Sequence, residues 1–346
     1  MILAIESSCD ESALACFDPS KGLSNELISS QIKLHAEYGG VVPDLASREH
    51  LANFPKLLEE LKSQQDLEEI SQIVVTRGPG LASCLALGIT FAKAIALVYD
   101  LPVRGVHHLH GHAYSPFIPL HEAEPTSFKD TLVEQLPHCG LIVSGGNTII
   151  IEIDENLNIR TLARTVDDAA GEAIDKGAKL LGLPYPGGPM IEKLATEGKP
   201  GMHEFPVSFP KPRDWKFSFS GLKTSLRYTL EKIDDAYLDQ EIHNICHSYQ
   251  EAVIEQLIRK MGHILDAKSF NSIGLSGGVS NNGRLRERFL ELGNQSGLPT
   301  HIAKRRHTGD NAGMIAFSAW LNPKATTLDT KAEPLGIQPS EPIDTH

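Results

Sequence analysis

The fold is decided by residues 1–17, MILAIESSCDESALACF, in which an apolar run enters a short polar turn and a second apolar run leaves it. This pattern predicts a strand, a tight turn and a returning strand. Residues 140–153, GLIVSGGNTIIIEI, repeat the pattern later in the chain. The sequence therefore predicts two copies of one structural unit.

Each copy is followed by a buried strand, a glycine-rich loop and a helix. These segments are residues 72–76, 78–80 and 85–99 in the first half, and residues 272–275, 276–278 and 284–292 in the second half. Further helices at residues 51–62 and 242–261 alternate with the strands. This alternation predicts an α/β fold of two related lobes with a cleft between them.

Two segments lack a clear pattern. Residues 116–137 are polar, carry prolines and show no periodicity, so we expect a surface loop or short insert there, with the boundary between the lobes inside it. Residues 326–346 contain little apolar sequence and several prolines, which predicts a mobile tail.

The composition excludes several classes of protein. The 346-residue chain has 44 acidic and 32 basic side chains and a formal net charge of −12, which excludes a generally basic nucleic-acid-binding surface. Five scattered cysteines without a C-x-x-C pair argue against a disulfide framework and a thiolate zinc site. No run reaches the roughly 18 to 20 apolar residues of a membrane span, and no basic leader is present. We therefore expect no membrane association and a cytoplasmic location.

Glycine-rich turns after strands are typical of phosphate binding, because their backbone N–H groups converge and the next helix directs its N-terminus at the anion. Four such turns occur, at residues 78–80, 144–146, 186–189 and 276–278. Each alone is typical of an ordinary turn, but the four together favour a nucleotide-binding cleft. Neither G-x-x-x-x-G-K-[ST] nor a G-x-G-x-x-G after the first strand is present. Duplicated lobes of the actin and sugar-kinase type remain.

Residues 107–112, HHLHGH, contain four histidines in six positions. On a helical turn, His108 and His112 stand at i and i+4 on one face, as two imidazoles on one metal ion require, whereas His110 points away. Histidines in such a run also cap helices or line a surface, and this alternative stays open. The H-E-x-x-H motif is absent, which weakens the hypothesis of a metalloprotease.

Carboxylates occupy positions where a nucleotide-binding cleft needs them. Asp10 and Glu11 lie in the first turn. Asp175 lies deep in a predicted helix, where a ligand role is favoured over a cap. Asp310 precedes the apolar helix of residues 312–320, so we expect it to cap that helix, and it is also available as a metal ligand.

With these motifs, the chain resembles the TsaD family, which makes threonylcarbamoyladenosine in tRNA. The resemblance covers nearly the full length and rests on residues 5–11, 38–43, 78–81, 107–112, 143–146, 167–173, 181–183, 185–189, 217–224, 276–280 and 310–311. It implies a duplicated actin-like lobe pair with a central cleft. We then expect an N-terminal lobe of residues 1–136 and 311–325 and a C-terminal lobe of residues 137–310.

The resemblance also implies the site. One divalent metal ion, iron(II) in preference to zinc(II), is expected on His108, His112 and Asp310. Substrate contacts are expected at Ile142, Val143, Ser144, Gly145, Gly146, Asp175, Gly188 and Asn282. Asp10 and Glu11 are candidate catalytic residues, as orienting groups or proton acceptors. The chain departs from many relatives at His110, where they carry glutamate, and at Gly283, where they carry arginine.

The implied reaction transfers a threonylcarbamoyl group from threonylcarbamoyl-AMP to the exocyclic amine of the adenosine 3′ of the anticodon in ANN-decoding tRNAs. The implied partners are tRNA, a TsaB-like paralogue and a TsaE-like ATPase. An actin-like ATPase or nucleotide switch without transfer chemistry is the alternative, and a metalloprotease is the third hypothesis. The expected three-ligand metal set separates the first hypothesis from the second.

Overall fold

The computed structural model describes residues 1–345 and divides into two compact units. The first unit comprises Met1–Glu134, Asn156–Ile159 and the chain from Ala303 onward, and the second comprises Gln135–Glu155 and Arg160–Ile302. Each unit is built on a six-stranded sheet with helices, so the predicted α/β class is confirmed.

The elements alternate along the chain as the sequence predicts. The strands are β1 (Ile2–Glu6), β2 (Glu11–Asp18), β3 (Gly22–Ser30), β4 (Gln72–Gly78), β5 (Val103–His107), β6 (His138–Val143), β7 (Thr148–Ile153), β8 (Ile159–Thr165), β9 (Lys216–Phe217), β10 (Ser272–Ser276), β11 (Thr300–Ile302) and β12 (Thr327–Leu328). The helices are α1 (Ile32–Ala36), α2 (Pro43–Gln64), α3 (Ala82–Tyr99), α4 (His108–Tyr114), α5 (Ile118–Ala123), α6 (Phe128–Glu134), α7 (Ala170–Leu180), α8 (Gly187–Ala195), α9 (Ser220–Leu230), α10 (Asp235–Ala267), α11 (Gly283–Ser296) and α12 (Ala312–Leu321).

The two sheets share an arrangement of five strands, and each has one further strand, β12 next to β5 in the first sheet and β9 next to β8 in the second. The first has the order β12-β5-β4-β1-β2-β3, and the second has the order β11-β10-β6-β7-β8-β9. In both, an antiparallel pair (β1 with β2, β6 with β7) is joined to a parallel strand on its other side (β4 or β10). The internal repeat predicted from residues 1–17 and 140–153 is therefore confirmed.

Burial explains why the repeated strands form. All five residues of β1 and all six residues of β6 are buried, so these central strands carry nearly continuous apolar runs. In the first unit β1 packs in a core with α2 and α3, and in the second unit β6 packs in a core with α7 and α10. The turns after β1 and β6 thus start from rigid, fully buried strands.

The unit boundaries differ from the expected lobes. The first boundary lies at Glu134–Gln135, close to the expected position, but the chain returns to the first unit at Ala303 instead of residue 311. Asp310 therefore belongs to the first unit and not to the C-terminal lobe of the sequence prediction. The physical reason is that side chains of the segment before α12 contact two elements of the first unit. His307 contacts Glu26 of β3, and Lys304 contacts Glu122 of α5.

The expected surface loop at residues 116–137 is helical in part. It contains α5 and α6, and it buries Phe117, Ile118 and Phe128. The Phe128 ring lies 5.6 Å from the Trp320 ring of α12. This segment is therefore packed against the first unit and is not an open loop.

The expected mobile tail is ordered as far as residue 345, and residue 346 lies outside the described residues. Strand β12 pairs with β5, and Leu335 and Ile343 are buried. The Gln338 N–H donates to the Arg77 carbonyl at 2.7 Å, and the Thr345 N–H donates to the Ile159 carbonyl at 2.9 Å. Main-chain hydrogen bonds, which do not depend on apolar sequence, hold this segment.

One helix within residues 1–345, α3, is long and apolar enough by length and composition to cross a membrane, contrary to the expectation from the sequence. Its inner face, with Ile89, Ala92 and Ile95, is buried in the core of the first unit. A core helix of a globular unit meets the same criterion, so the finding is weak evidence for a membrane span.

Candidate functional site

The histidine motif forms helix α4 directly after strand β5. The His107 side chain accepts a hydrogen bond from the Leu109 N–H at 3.1 Å and so caps the helix. All seven residues of α4 are buried. His108 and His112 lie on one face, with ring centroids 4.9 Å apart, as the i and i+4 spacing predicts.

Asp310 completes a cluster with these two histidines. Its Oδ1 lies 3.3 Å from His108 Nε2 and 3.2 Å from His112 Nε2. One ligand atom from each of the three residues lies within 4.8 Å of the others. Two imidazole nitrogens and one carboxylate oxygen are a donor set that binds iron(II) or zinc(II), so the residues present fit a metal ion.

Asp310 does not cap α12, which corrects the expectation from the sequence. The cap is Asn311, whose Oδ1 accepts a hydrogen bond from the Met314 N–H at 2.8 Å. The neighbouring amide thus satisfies the helix N-terminus, and the Asp310 carboxylate is left for the histidines.

The electrostatics of the cluster favour a positive charge. Burial opposes the charged form of His108, but Asp310 and Glu6 outweigh it and raise the His108 pKa well above its usual value. Burial lowers the pKa of His112. The Asp310 pKa is lowered, because the positive charge of His108 and its hydrogen bonds to both histidines outweigh burial. A proton on His108 or a metal ion supplies the charge that these carboxylates require.

Glu6, at the end of β1, is a site residue that the sequence analysis missed. Its Oε2 lies 3.2 Å from His108 Nδ1, and it is fully buried. The available signal was a carboxylate that ends an otherwise apolar, buried strand, where an unpaired charge is costly.

His110 faces away from the cluster, as the sequence predicts. Its Nε2 donates to the Ile343 carbonyl at 2.8 Å, and its ring stacks on His107 with centroids 4.5 Å apart. His110 therefore contacts the end of the chain instead of Asp310.

Asp10 and Glu11 lie in the turn between β1 and β2. Burial, reinforced by the negative charges of Asp310 and Asp10, raises the pKa of Glu11 to about 10. The Ser30 hydroxyl donates to Glu11 Oε1 at 3.1 Å. Without a metal ion, Glu11 is therefore protonated at neutral pH, and a cation next to Asp310 would lower its pKa.

The expected substrate residues lie in the second unit. Ile142 and Val143 end β6 and are buried, and Ser144 closes the turn to β7 by hydrogen bonds with Asn147 of 2.8 and 3.0 Å. A Cβ at Gly145 would have no atom within 4 Å. The same is true of Gly146. These two glycines leave open space beside the backbone, as close approach of a ligand requires.

Gly277 has a different role from Gly145. It has a φ of +88°, and a Cβ there would lie 2.3 Å from the Val143 carbonyl oxygen. Its missing side chain therefore lets β10 end against β6, which is a packing role.

Asp175 acts on the start of α8. Its Oδ1 accepts hydrogen bonds from the N–H groups of Gly187 at 2.8 Å and Gly188 at 3.3 Å. Burial raises its pKa. The chain's own carboxylate thus engages the N–H groups that the glycine pattern 186–189 suggested for phosphate.

Asn282 caps α11 with an Oδ1 that accepts from the Leu285 N–H at 2.9 Å, while its Nδ2 donates to Gln250 Oε1 at 2.7 Å. Both the oxygen and the nitrogen of this amide therefore make hydrogen bonds within the second unit. The structure thus brings His108, His112 and Asp310 together in the first unit, and it shows Asp175 and Asn282 as supports of loops in the second.

Comparisons with known proteins bear on the family and the fold of the chain. The TsaD family model, described as tRNA N6-adenosine threonylcarbamoyltransferase, matches residues 22–317. Relatives with the same name include the following two. The one from Fervidobacterium nodosum is 40% identical over 321 residues, 91% of each chain. The one from Methylobacillus flagellatus is 41% identical over 320 residues, 92% of this chain and 91% of the relative.

Solved structures are similar at the level of the fold. HypF from T. kodakarensis has a TM-score of 0.60 at 13% identity, covering 93% of this chain and 47% of that one. Component A of the (R)-2-hydroxyglutaryl-CoA dehydratase from Acidaminococcus fermentans has a TM-score of 0.52 at 13% identity, covering 94% and 98%. These neighbours have the actin-like fold, which confirms the predicted fold class.

Proposed function

Because the chain belongs to the TsaD family and is a tRNA N6-adenosine threonylcarbamoyltransferase, we propose that His108, His112 and Asp310 hold the metal ion of this reaction. The observation that carries the proposal is the convergence of two Nε2 atoms, both from buried imidazoles, on one carboxylate oxygen. Glu6 and Asp310 supply negative charge on both sides of His108, which further favours a cation there.

The metal is iron(II), with zinc(II) as the alternative. Two histidines and one carboxylate leave coordination positions open, an arrangement typical of non-haem iron and also found in catalytic zinc sites. When bound, the ion supplies positive charge for the oxygen atoms of the threonylcarbamoyl group.

The donor in our proposal is threonylcarbamoyl-AMP, and the acceptor is the adenosine 3′ of the anticodon in ANN-decoding tRNAs. The exocyclic amine attacks the carbamoyl carbon, the bond from that carbon to the phosphate oxygen breaks, and AMP leaves while the amine loses a proton. Burial and carboxylate repulsion raise the Glu11 pKa, but a metal ion on Asp310 would oppose that repulsion, so Asp10 and Glu11 are both candidates for the orienting or proton-accepting group.

The substrate-binding residues are those of the second unit. The open space at Gly145 and Gly146 supports backbone contact with the adenylate, and Ile142, Val143 and Ser144 hold that turn at the end of β6. Asp175, Gly188 and Asn282 contribute by fixing the starts of α8 and α11.

We further propose that the protein acts in the cytoplasm with a TsaB-like paralogue and a TsaE-like ATPase. The outward face of α3 supports the first partner. Leu97 is 86% exposed and Val98 is 75% exposed, and the exposed positions one and two turns earlier are Ala94 and Thr90. An exposed, uncharged helix face of this kind is typical of a protein-binding surface.

The test is a transfer assay with threonylcarbamoyl-AMP, unmodified tRNA and both partners, followed by nucleoside analysis. We expect threonylcarbamoyladenosine with the wild-type protein, and loss of both product and bound metal in His112→Ala and Asp310→Asn. His110→Ala is the matched control and should keep its metal, because His110 contacts Ile343 and not Asp310. Equal metal loss in His110→Ala, or nucleotide turnover without modified tRNA, contradicts the proposal.

A further inference from the structure

We infer that Glu6 is a positioning residue that holds the His108 imidazole so that its Nε2 faces the metal. The inference rests on the metal site proposed above, and it concerns a residue outside the three ligands. Its basis is the set of hydrogen bonds around one fully buried carboxylate.

Three donors converge on Glu6. The Ser8 N–H donates to Oε1 at 2.5 Å, and the Thr76 hydroxyl donates to Oε2. His108 Nδ1 lies 3.2 Å from the same Oε2. Thr76 lies on the neighbouring strand β4, so the carboxylate is held between two central strands and has a fixed direction.

This arrangement determines which nitrogen of His108 is available. An imidazole that donates Nδ1–H to a carboxylate presents its Nε2 lone pair on the other side of the ring, and such outer partners increase the basicity of the ligand. In His108 the other side is the Asp310 side, at 3.3 Å. Glu6 therefore selects Nε2 as the ligand atom.

The two histidines differ in this respect. His112 Nδ1 is buried and has no hydrogen-bond partner among the described residues, so on the side of the ring away from Asp310 only packing orients His112. His108 is thus the histidine whose orientation is set by a charge, and the loss of that charge should affect metal binding through His108 alone.

A carboxylate is required at position 6 because all three of its neighbours are donors. In Glu6→Gln one oxygen becomes an NH2 group, which faces either the Ser8 N–H or His108 Nδ1. The first case loses a buried hydrogen bond. The second favours the tautomer with Nε2–H, which cannot bind a metal through Nε2.

The experiment measures the zinc affinity of the full chain by competition with a chelator. Imidazole nitrogen NMR of the zinc-loaded protein then shows which nitrogen of His108 binds zinc. We expect Glu6→Gln to weaken zinc binding by roughly 10- to 100-fold, the usual effect of losing such a partner. The wild-type spectrum should show His108 protonated at Nδ1 and zinc-bound at Nε2. Zinc on Nδ1 would overturn the inference.

Two variants, Ser8→Ala and Glu241→Gln, serve as controls. A third variant, Thr76→Val, takes the place of Glu6→Gln if that protein does not fold. Ser8→Ala removes a hydroxyl that also lies 3.2 Å from His108 Nδ1 and should leave zinc affinity within about twofold of wild type. Glu241→Gln makes the same change in a carboxylate–histidine pair of the second unit and should have no effect. Thr76→Val leaves the charge but removes its support, and we expect a smaller loss.

The outcomes separate this inference from the proposed metal site. If His112→Ala does not weaken zinc binding, the metal site itself is wrong. If His112→Ala abolishes binding while folded Glu6→Gln, or Thr76→Val in its place, binds zinc as tightly as wild type, only the role of Glu6 is wrong.

Discussion

His108 and His110 are two positions apart on α4 and make opposite kinds of contact. His108 lies between two carboxylates, and His110 donates to a backbone carbonyl of the tail. Burial, with the positive charge of Arg77 nearby, lowers the pKa of His110 to about 4, so its ring is neutral at physiological pH. Helical periodicity alone therefore divides this histidine run into the face that we propose binds metal and a structural face.

The proton on His108 sets the pH dependence of metal binding. Burial opposes the protonated form of His108, but Asp310 and Glu6 outweigh burial and raise the His108 pKa. A metal ion that binds near pH 7 must therefore displace this proton. We expect zinc affinity to rise by about tenfold per pH unit below that pKa, with proton release measured by calorimetry in buffers of different ionisation enthalpy. An affinity that does not change between about pH 6 and 8 would contradict this assignment.

The stability of the metal-free protein has the opposite pH dependence. The folded protein holds the His108 proton more tightly than the unfolded chain does, so protonation of His108 adds to the free energy of unfolding. This contribution is complete below a pH of about 6.5, and it is lost as the pH rises through the raised pKa of His108 in the folded protein. Thermal unfolding of metal-free wild type and His108→Gln at several pH values should show a smaller slope in the variant.

Gly145 and Gly277 should respond differently to the same substitution. A Cβ at Gly145 meets no atom within 4 Å, so we expect Gly145→Val to have a nearly normal melting temperature and greatly weakened adenylate binding. Gly277→Val combines a φ of +88° with a contact of 2.3 Å to the Val143 carbonyl, so it should destabilise the protein by several kcal/mol. Calorimetric ligand titration and thermal unfolding distinguish the two effects. Unchanged binding in Gly145→Val would place the adenylate elsewhere.

Helix α3 is the element at which we expect the TsaB-like paralogue to bind. Leu97→Lys places a charge on a side chain that is 86% exposed, so the fold should tolerate it within about 0.5 kcal/mol. The charge should weaken association with the TsaB-like paralogue, measured by sedimentation of the mixed proteins. Val133→Lys on α6 adds the same charge at a side chain that is 64% exposed, and it is the control. A Leu97→Lys protein that associates normally would move the interface to another face.

The sequence predicted best the elements with strong periodicity. The strand pairs and the placement of His108 and His112 on α4 follow from apolar alternation and helical spacing. Residues 116–137 were misjudged because Pro116 and Pro119 suggest loops, yet they occupy first helical turns, where proline is favoured. The Glu6 network depends on Thr76, which is 70 residues away, and no local pattern reveals such a contact.

For the whole molecule, charge determines how tRNA can bind. The net charge is −12, and the basic run at residues 304–306 is partly neutralised, because Lys304 and Arg306 both pair with Glu122. Glu122→Gln should strengthen tRNA binding at low salt and make its affinity fall more steeply with salt concentration. Reversal of residues 304–306 to glutamates should make that dependence shallower. The slope of log affinity against log salt concentration should change by up to about 0.9 per lost phosphate contact. Unaltered slopes in both variants would indicate that tRNA binds elsewhere or on a partner.

The position of Asp310 in the chain has a consequence for biosynthesis. Asp310 lies 198 residues after His112, and all of the second unit up to Ile302 is translated between them. Domains fold as units while the ribosome moves along the message, so the second unit has its complete sequence before the third ligand exists. A nascent or prematurely terminated chain has the two histidines without their carboxylate. At the proposed site, the complete set of metal ligands is therefore available only after residue 310 has been translated.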